Sequence, residues 1–175
     1  MGVRKMSKRP VVLLGVAGAG KSTVGEKLAR RMGRKFIELD MLAESRMCMS
    51  ISEAFATCGE EYFRTEESHS LKGVLTCGNA VIAPGGGVLG RESNRIAIFQ
   101  RGIISVWLDV PFPVVWERIK DTGDVRPLVR QGREFNRGLC TGRRPLYQLA
   151  DIHIDASGDA GFVVENILRS IAILP

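Results

Sequence analysis

Gly15-Val16-Ala17-Gly18-Ala19-Gly20-Lys21-Ser22-Thr23 carries the pattern Gly-x-x-x-x-Gly-Lys-[Ser/Thr], with Gly15, Gly20, Lys21 and Ser22 at its fixed positions. Ahead of it, Val11–Leu14 is a short branched apolar run, as in a strand buried within a parallel sheet. Behind it, Val24, Leu28 and Met32 recur at helical spacing, while Glu26, Lys27, Arg30 and Arg31 take the other face. Strand, glycine loop and helix in that order predict a phosphate-binding loop. Its glycines tolerate dihedrals that a β-carbon forbids, so successive N–H groups can curl round phosphate oxygens. The helix adds the positive end of its dipole. Gly18, Ala19, Gly20, Lys21, Ser22 and Thr23 are therefore expected to hold a nucleoside triphosphate. Lys21 would reach the β- and γ-phosphates, and the Ser22 hydroxyl would ligate Mg²⁺.

Outward from this loop the chain alternates strands and helices. Residues 1–9 form a basic tail, and Pro10 opens the first strand, where a missing N–H is tolerated. The loop helix stops near Gly33. Lys35–Leu39 reads as the second strand, with Asp40 at its carboxyl end, and Met41–Met47 as a helix that Asp40 could cap. Ser50-Ile-Ser-Glu53 is a capping box opening a short helix. Glu60–Thr76 is a long helix with Phe63, Leu71, Val74 and Leu75 inward. Ala80–Ala83 is the third strand, ended by Pro84-Gly85-Gly86-Gly87.

A helix over Glu92–Gln100, a strand over Ile103–Leu108 ending at Asp109, and a helix over Phe112–Lys120 follow. Asp121–Arg133, broken by Gly123, Pro127 and Gly132 among charges, suits a mobile surface segment. Short helices around Glu134–Leu139 and Arg144–Leu149, a strand over Asp151–Ile154 and a helix over Phe162–Ile173 complete the chain. The alternation predicts one domain over residues 1–175, a three-layer α/β/α fold on a five-stranded parallel sheet. Ligands of such sheets sit beyond the carboxyl ends of the strands. The phosphate loop, Asp40, Gly85–Gly87 and Asp109 all fall there, in one expected cleft.

Bulk properties narrow the function. The 175 residues suffice for one substantial core, and 45% hydrophobic with 25% charged residues is ordinary for a globular chain. The net charge is +6 and the pI near 9.5. The basic excess is split between the tail and Arg118–Arg144, which suits an enzyme of anionic substrates better than a nucleic-acid binder. Cys48, Cys58, Cys77 and Cys140 form no metal or redox pattern with His69 and His153, so reduced thiols in the cytoplasm are expected. No apolar run reaches membrane length.

Six segments, in order, resemble the shikimate kinase family: Phe36-Ile-Glu-Leu-Asp40; Ser50-Ile-Ser-Glu-Ala-Phe55; Gly59-Glu60 with Phe63-Arg64 and Glu67; Pro84-Gly-Gly-Gly87; Val125-Arg-Pro-Leu128; and Arg143-Arg-Pro-Leu-Tyr147. The resemblance runs from about Val11 to Ile173. It implies ATP-dependent, Mg²⁺-dependent phosphorylation of the shikimate 3-hydroxyl. It places a substrate-binding segment at about 40–75 and a lid at about 121–133. Arg64 and Arg143 match the family's carboxylate-binding positions, a task suited to paired guanidinium groups. Asp40 matches the carboxylate that meets the ring hydroxyls and orients or deprotonates the nucleophile. Gly85, Gly86, Gly87 and Glu67 fall among the substrate-binding positions. Arg126 matches the lid arginine that closes over the phosphates.

Three departures stand out, one of them Pro84 before the glycines, which stiffens that strand end. Glu38 replaces the family's usual Asp on the metal side, beside Ser22. Gly158-Asp159 stands where many members place an arginine against adenine, which leaves the base to Arg118 or Lys120 or holds it less firmly. A monomer acting on shikimate, without nucleic-acid or membrane partners, is expected. The competing readings are another small-metabolite kinase such as a gluconate kinase, whose His-Pro segment after the second strand is missing, and a non-catalytic sensor of the same fold.

Overall fold

Val11–Leu14 (β1) is buried along its whole length, which requires apolar layers on both of its faces. The computed structural model describes residues 8–122 and 127–174. After β1 come α1 (Lys21–Met32), β2 (Lys35–Glu38), α2 (Leu39–Met47), α3 (Ile51–Thr57), α4 (Glu60–Thr76) and β3 (Ala80–Ala83). A 3₁₀ turn at Val88–Gly90 leads into α5 (Glu92–Ile98), β4 (Ile104–Asp109) and α6 (Phe112–Ile119). A second 3₁₀ segment, Pro127–Gln131, precedes α7 (Arg133–Tyr147), β5 (Ile152–Asp155) and α8 (Ala160–Ile173).

The five strands run parallel in the order β2-β3-β1-β4-β5. β1 is central, with Val11 beside Val81 of β3 on one side and Ile104 of β4 on the other. Side chains alternate across the pleat, so Val11 and Leu13 join a layer built from α1, α6 and α8. Val12 and Leu14 join the opposite layer, with Leu71 and Val74 of α4 and Ile98 of α5. A third cluster, Ala43, Met47, Ala54 and Phe63, packs α2, α3 and α4 together. Because β1 and β3 are parallel neighbours, the phosphate loop and the Gly85–Gly87 run leave the sheet side by side. That adjacency positions the site.

Three expectations are corrected. β2 ends at Glu38, and the fully buried Leu39 already belongs to α2. Asp40 thus lies in the first turn of that helix and Glu38 at its cap position without a side-chain bond, so Asp40 is not the cap. Second, the two short helices expected after residue 133 are one, α7, in spite of Gly138, Gly142 and an internal Pro145. Asn136, Cys140 and Tyr147 turn inward at helical spacing, and this packing outweighs the poor propensity. Third, the segment expected to be mobile is partly packed: Val129 in the second 3₁₀ segment is buried, and Asn136 Nδ2 donates to Leu128 O at 3.0 Å.

Among the helical glycines, Gly25 is where α1 meets the sheet. A β-carbon there would lie 2.4 Å from Phe36 Cε2 and 3.2 Å from Leu13 Cδ1. Gly138 in α7 has open space around it. Gly25→Ala should therefore destabilise by about 1–3 kcal/mol through overpacking, whereas Gly138→Ala should stabilise by about 0.5–1 kcal/mol. Urea unfolding of the two variants checks the pair. A Gly25→Ala variant as stable as its parent would contradict the close α1–sheet packing.

Candidate active site

The loop after β1 folds over the start of α1. Gly15, Gly18 and Gly20 have φ of 148°, 81° and 91°, and a β-carbon at Gly18 would meet Ile119 Cγ2 at 2.6 Å. Ala19 N donates to Val16 O at 3.2 Å and Val24 N to Gly20 O at 2.9 Å, which closes the loop onto the helix. No acidic residue occupies the first turn of α1, so the positive helix end is not offset. Lys21 Nζ donates to Gly15 O at 2.8 Å and to Val16 O at 3.0 Å, and so holds its charge across the mouth of the loop.

Opposite the loop, α2 and α4 contribute two carboxylates. Arg64 sits one turn before Glu67 on α4, and its Nη1 donates to Glu67 Oε2 at 3.0 Å. Its Nε is held by Glu60 Oε1 at 3.2 Å. Glu67 is 1% exposed, and its Oε1 is buried without a hydrogen-bond partner among the described residues; Asp40 Oδ1 is in the same state. Unpaired buried acceptors are costly and persist where a ligand supplies the donors. Burial raises the Asp40 carboxyl above the ordinary aspartate range, with Lys21 opposing the rise and Glu38 adding to it. Burial likewise raises Glu67, against the pull of Arg64.

Gly85–Gly87 runs between these groups and the phosphate loop. A β-carbon on Gly85 would stand 2.8 Å from Asp40 Oδ1 and 3.2 Å from Glu67 Oε1. On Gly86 it would stand 3.3 Å from Ala17 N and 3.4 Å from Arg143 Nη1, and on Gly87 3.0 Å from both Arg64 Nη atoms. Arg64, Arg143, Gly86, Gly87, Glu60 and Tyr147 are among the residues lining a cavity of about 190 Å³. Two guanidinium groups thus face one cavity, with two acceptor oxygens beside it and the phosphate loop behind. The arrangement suits a small anionic polyol next to a triphosphate.

Most residues singled out from the sequence meet here: the loop with Lys21, Asp40, Arg64, Glu67, Gly85–Gly87 and Arg143. Arg126 lies outside the described residues. Asp109, expected at the same strand ends, is engaged elsewhere: Arg144 donates to both of its oxygens, at 2.9 and 2.8 Å. Asp159, in place of an adenine-facing arginine, caps α8 by accepting from Gly161 N and Phe162 N. Arg118 bridges the two loops at that end, donating to Gly18 O and Ser157 O at 3.2 Å each. Lys120 pairs instead with Glu117 at 2.7 Å. The anchoring Glu60 and the buried Tyr147 were not among the predicted site residues. Their only sequence signal is their place in the quoted segments.

Comparison with known proteins follows the same line. The family model described as shikimate kinase matches residues 17–172. The shikimate kinase of Rhodopseudomonas palustris is 42% identical over 154 residues, covering 87% of this chain and 75% of that protein. That of Ruegeria pomeroyi is 37% identical over 168 residues, covering 94% and 85%. The solved structure of shikimate kinase from Acinetobacter baumannii in complex with shikimate superposes with a TM-score of 0.88 at 33% identity, covering 94% and 93%. A gluconokinase from Sinorhizobium meliloti, at 19% identity and a TM-score of 0.64, shares the fold alone.

The raised carboxyls link the site to stability. With a folded-state pKa above the unfolded one, Asp40 contributes stability that is present at low pH and is lost as pH rises through the folded pKa. Asp40→Asn should therefore raise the melting temperature near pH 7.5, and the gain should shrink on acidification toward pH 4. Thermal unfolding across that range checks it, and a variant less stable than its parent at neutral pH would refute the buried, under-paired carboxylate.

Proposed function

The chain belongs to the shikimate kinase family, and we propose that it transfers the terminal phosphoryl of ATP to the 3-hydroxyl of shikimate, giving shikimate 3-phosphate and ADP for aromatic amino acid biosynthesis. The observation that carries the site assignment is the glycine run, whose three backbone positions touch Asp40 and Glu67, Arg143 and the phosphate loop, and Arg64 in turn. Arg64 and Arg143 then take the acceptor's carboxylate, and the unpaired oxygens of Asp40 and Glu67 accept from its hydroxyls. One end of the ring is held by charge and the other by hydrogen bonds, which turns a single hydroxyl toward the phosphate loop.

Phosphoryl transfer passes through a loose transition state, so positioning and charge neutralisation do most of the work. Gly18–Thr23 cradle the phosphates, and Lys21 leaves the loop carbonyls to meet the transferring group. Asp40 aligns the attacking hydroxyl and receives its proton. Its raised pKa keeps it basic enough for that task. Arg126, in the Val125–Leu128 segment, supplies a further positive charge over the phosphates. Arg118, rather than the Glu117-paired Lys120, flanks the base, since it already spans the two loops at that edge.

Among the described residues no cluster of three or more His, Cys, Asp or Glu is set to hold a metal. A hard ion that keeps much of its water and leans on phosphate oxygens fits the donors present, the Ser22 hydroxyl and the Glu38 carboxylate. Mg²⁺ held there would offset negative charge on the phosphates when ATP is bound. The described part of the cleft is built from one chain, and we take the protein to act as a monomer. The four cysteines are free, in keeping with a reducing compartment, and we place the protein in the cytoplasm. Among the described residues no helix is long and apolar enough to cross a membrane.

A coupled assay of ADP release against shikimate, quinate and gluconate tests the activity, with shikimate expected to be preferred. Asp40→Asn should lower kcat by ~10²–10⁴-fold while shikimate affinity, measured by titration, falls less. Arg143→Ala should weaken shikimate binding by roughly 2–5 kcal/mol and leave ATP affinity almost untouched. Unchanged turnover in the first variant removes Asp40 from the mechanism. Equal losses of both ligands in the second point to a structural role.

A further inference from the structure

Tyr147 has no part in the roles above, yet it ties the acceptor side of the cleft to the sheet. It is buried in the last turn of α7, its hydroxyl donates to the Gly86 carbonyl at 2.6 Å, across 61 positions of chain, and the same hydroxyl meets the Arg143 side chain. Its ring stacks on Trp107 of β4, with centroids 6.2 Å apart and planes 23° from parallel. Arg144 lies over the same indole, 4.8 Å from its centroid, and is fixed by the two-pronged pair with Asp109. The hydroxyl is thus presented from a braced aromatic stack rather than from a free side chain.

What it grips is a peptide with little hold on its own orientation. Glycine on both sides means that no β-carbon resists rotation of the Gly86–Gly87 peptide. In a trans peptide the carbonyl and the N–H point in opposite directions, so drawing Gly86 O toward Tyr147 turns Gly87 N–H the other way. That N–H has no partner among the described residues, whereas the next one, Val88 N, is already bonded to Gly85 O at 3.1 Å. Gly87 lies against the Arg64 guanidinium and lines the cavity with Arg143.

We propose that Tyr147 is a positioning residue for acceptor binding: its hydroxyl fixes the Gly86–Gly87 peptide so that Gly87 N–H joins Arg64 and Arg143 as a third donor to the acceptor's carboxylate. The role rests on the carboxylate placement proposed above. Burial pushes the Tyr147 pKa up to about 12, so the hydroxyl keeps its proton, and stays a donor, at any working pH. The phosphate loop does not depend on it, being closed by Ala19 N, Val24 N and Lys21.

Tyr147→Phe keeps the stacked ring and removes only the hydroxyl, with its hold on the Gly86 carbonyl and its contact to Arg143. The KM for shikimate should rise about tenfold, the equivalent of one charge-assisted hydrogen bond, while kcat and the KM for ATP stay within about twofold. Shikimate methyl ester binds the parent less well and supplies the internal comparison. Its KM should differ little between parent and variant, because a neutral ester gains little from the third donor. An unchanged KM for shikimate, or equal rises for acid and ester, overturns the role. So do parallel rises for shikimate and ATP accompanied by a lower melting temperature, the pattern of simple loosened packing. A parent indifferent to esterification overturns the carboxylate placement itself, and this role with it.

Discussion

Close approach of bare backbone to charged side chains is the constraint on which the cleft depends. At the carboxyl end of β3 the chain must pass between the phosphate loop, two carboxylates and two guanidinium groups, and the bare backbone of Gly85–Gly87 is thin enough to do so. Any β-carbon there would fall within 2.8–3.4 Å of a neighbour that the site needs. The strip can lie against the loop at all because β3 and β1 are parallel neighbours, which makes their carboxyl-terminal extensions adjacent. A sheet with another strand between them would hold the same residues and no cleft.

The second constraint is electrostatic. Asp40 and Glu67 each keep a buried oxygen without a partner among the described residues, and burial raises their pKa values and costs the free protein stability. Lys21 and Arg64 oppose that cost without removing it. A carboxylate fully paired within the protein would be more stable and less basic, with nothing left to offer a substrate hydroxyl. In the function proposed above, these acceptors and the Gly87 N–H, without a partner among the described residues, are the places that a ligand completes. The satisfied groups around them, Glu60 on Arg64 and Tyr147 on Gly86, hold those places open.

Much of this was legible in the residues. The phosphate loop, the five strands and the inward faces of α1 and α4 follow from glycine placement and apolar periodicity, which act within a few residues of one another. The segments resembling shikimate kinases single out Asp40, Arg64, Glu67 and Arg143, which the structure brings together round the glycine run. The failures share a cause. Gly138, Gly142 and Pro145 argue for a break in α7, and packing of its inward face over fifteen residues outweighs them. The apolar Leu39 extends the strand pattern of Lys35–Glu38 by one residue and so makes Asp40 resemble a cap, whereas Leu39 is buried as the first residue of α2.

Asp109 and Asp40 show where local reading ends. Both are carboxylates at or just past a strand end on the same side of the sheet, and nothing in their neighbours separates them. Arg144 claims both oxygens of Asp109, while an oxygen of Asp40 remains unclaimed, and that difference arises between elements far apart in the chain. Fold class, nucleotide loop and family are written in short segments, because backbone dihedrals, apolar periodicity and motif spacing are local properties. Which carboxylate is free, which arginine faces the cavity and which tyrosine steers the glycine peptide were decided by packing. Pairing and desolvation depend on what the sheet order brings within a few ångströms, and no run of neighbouring residues encodes that.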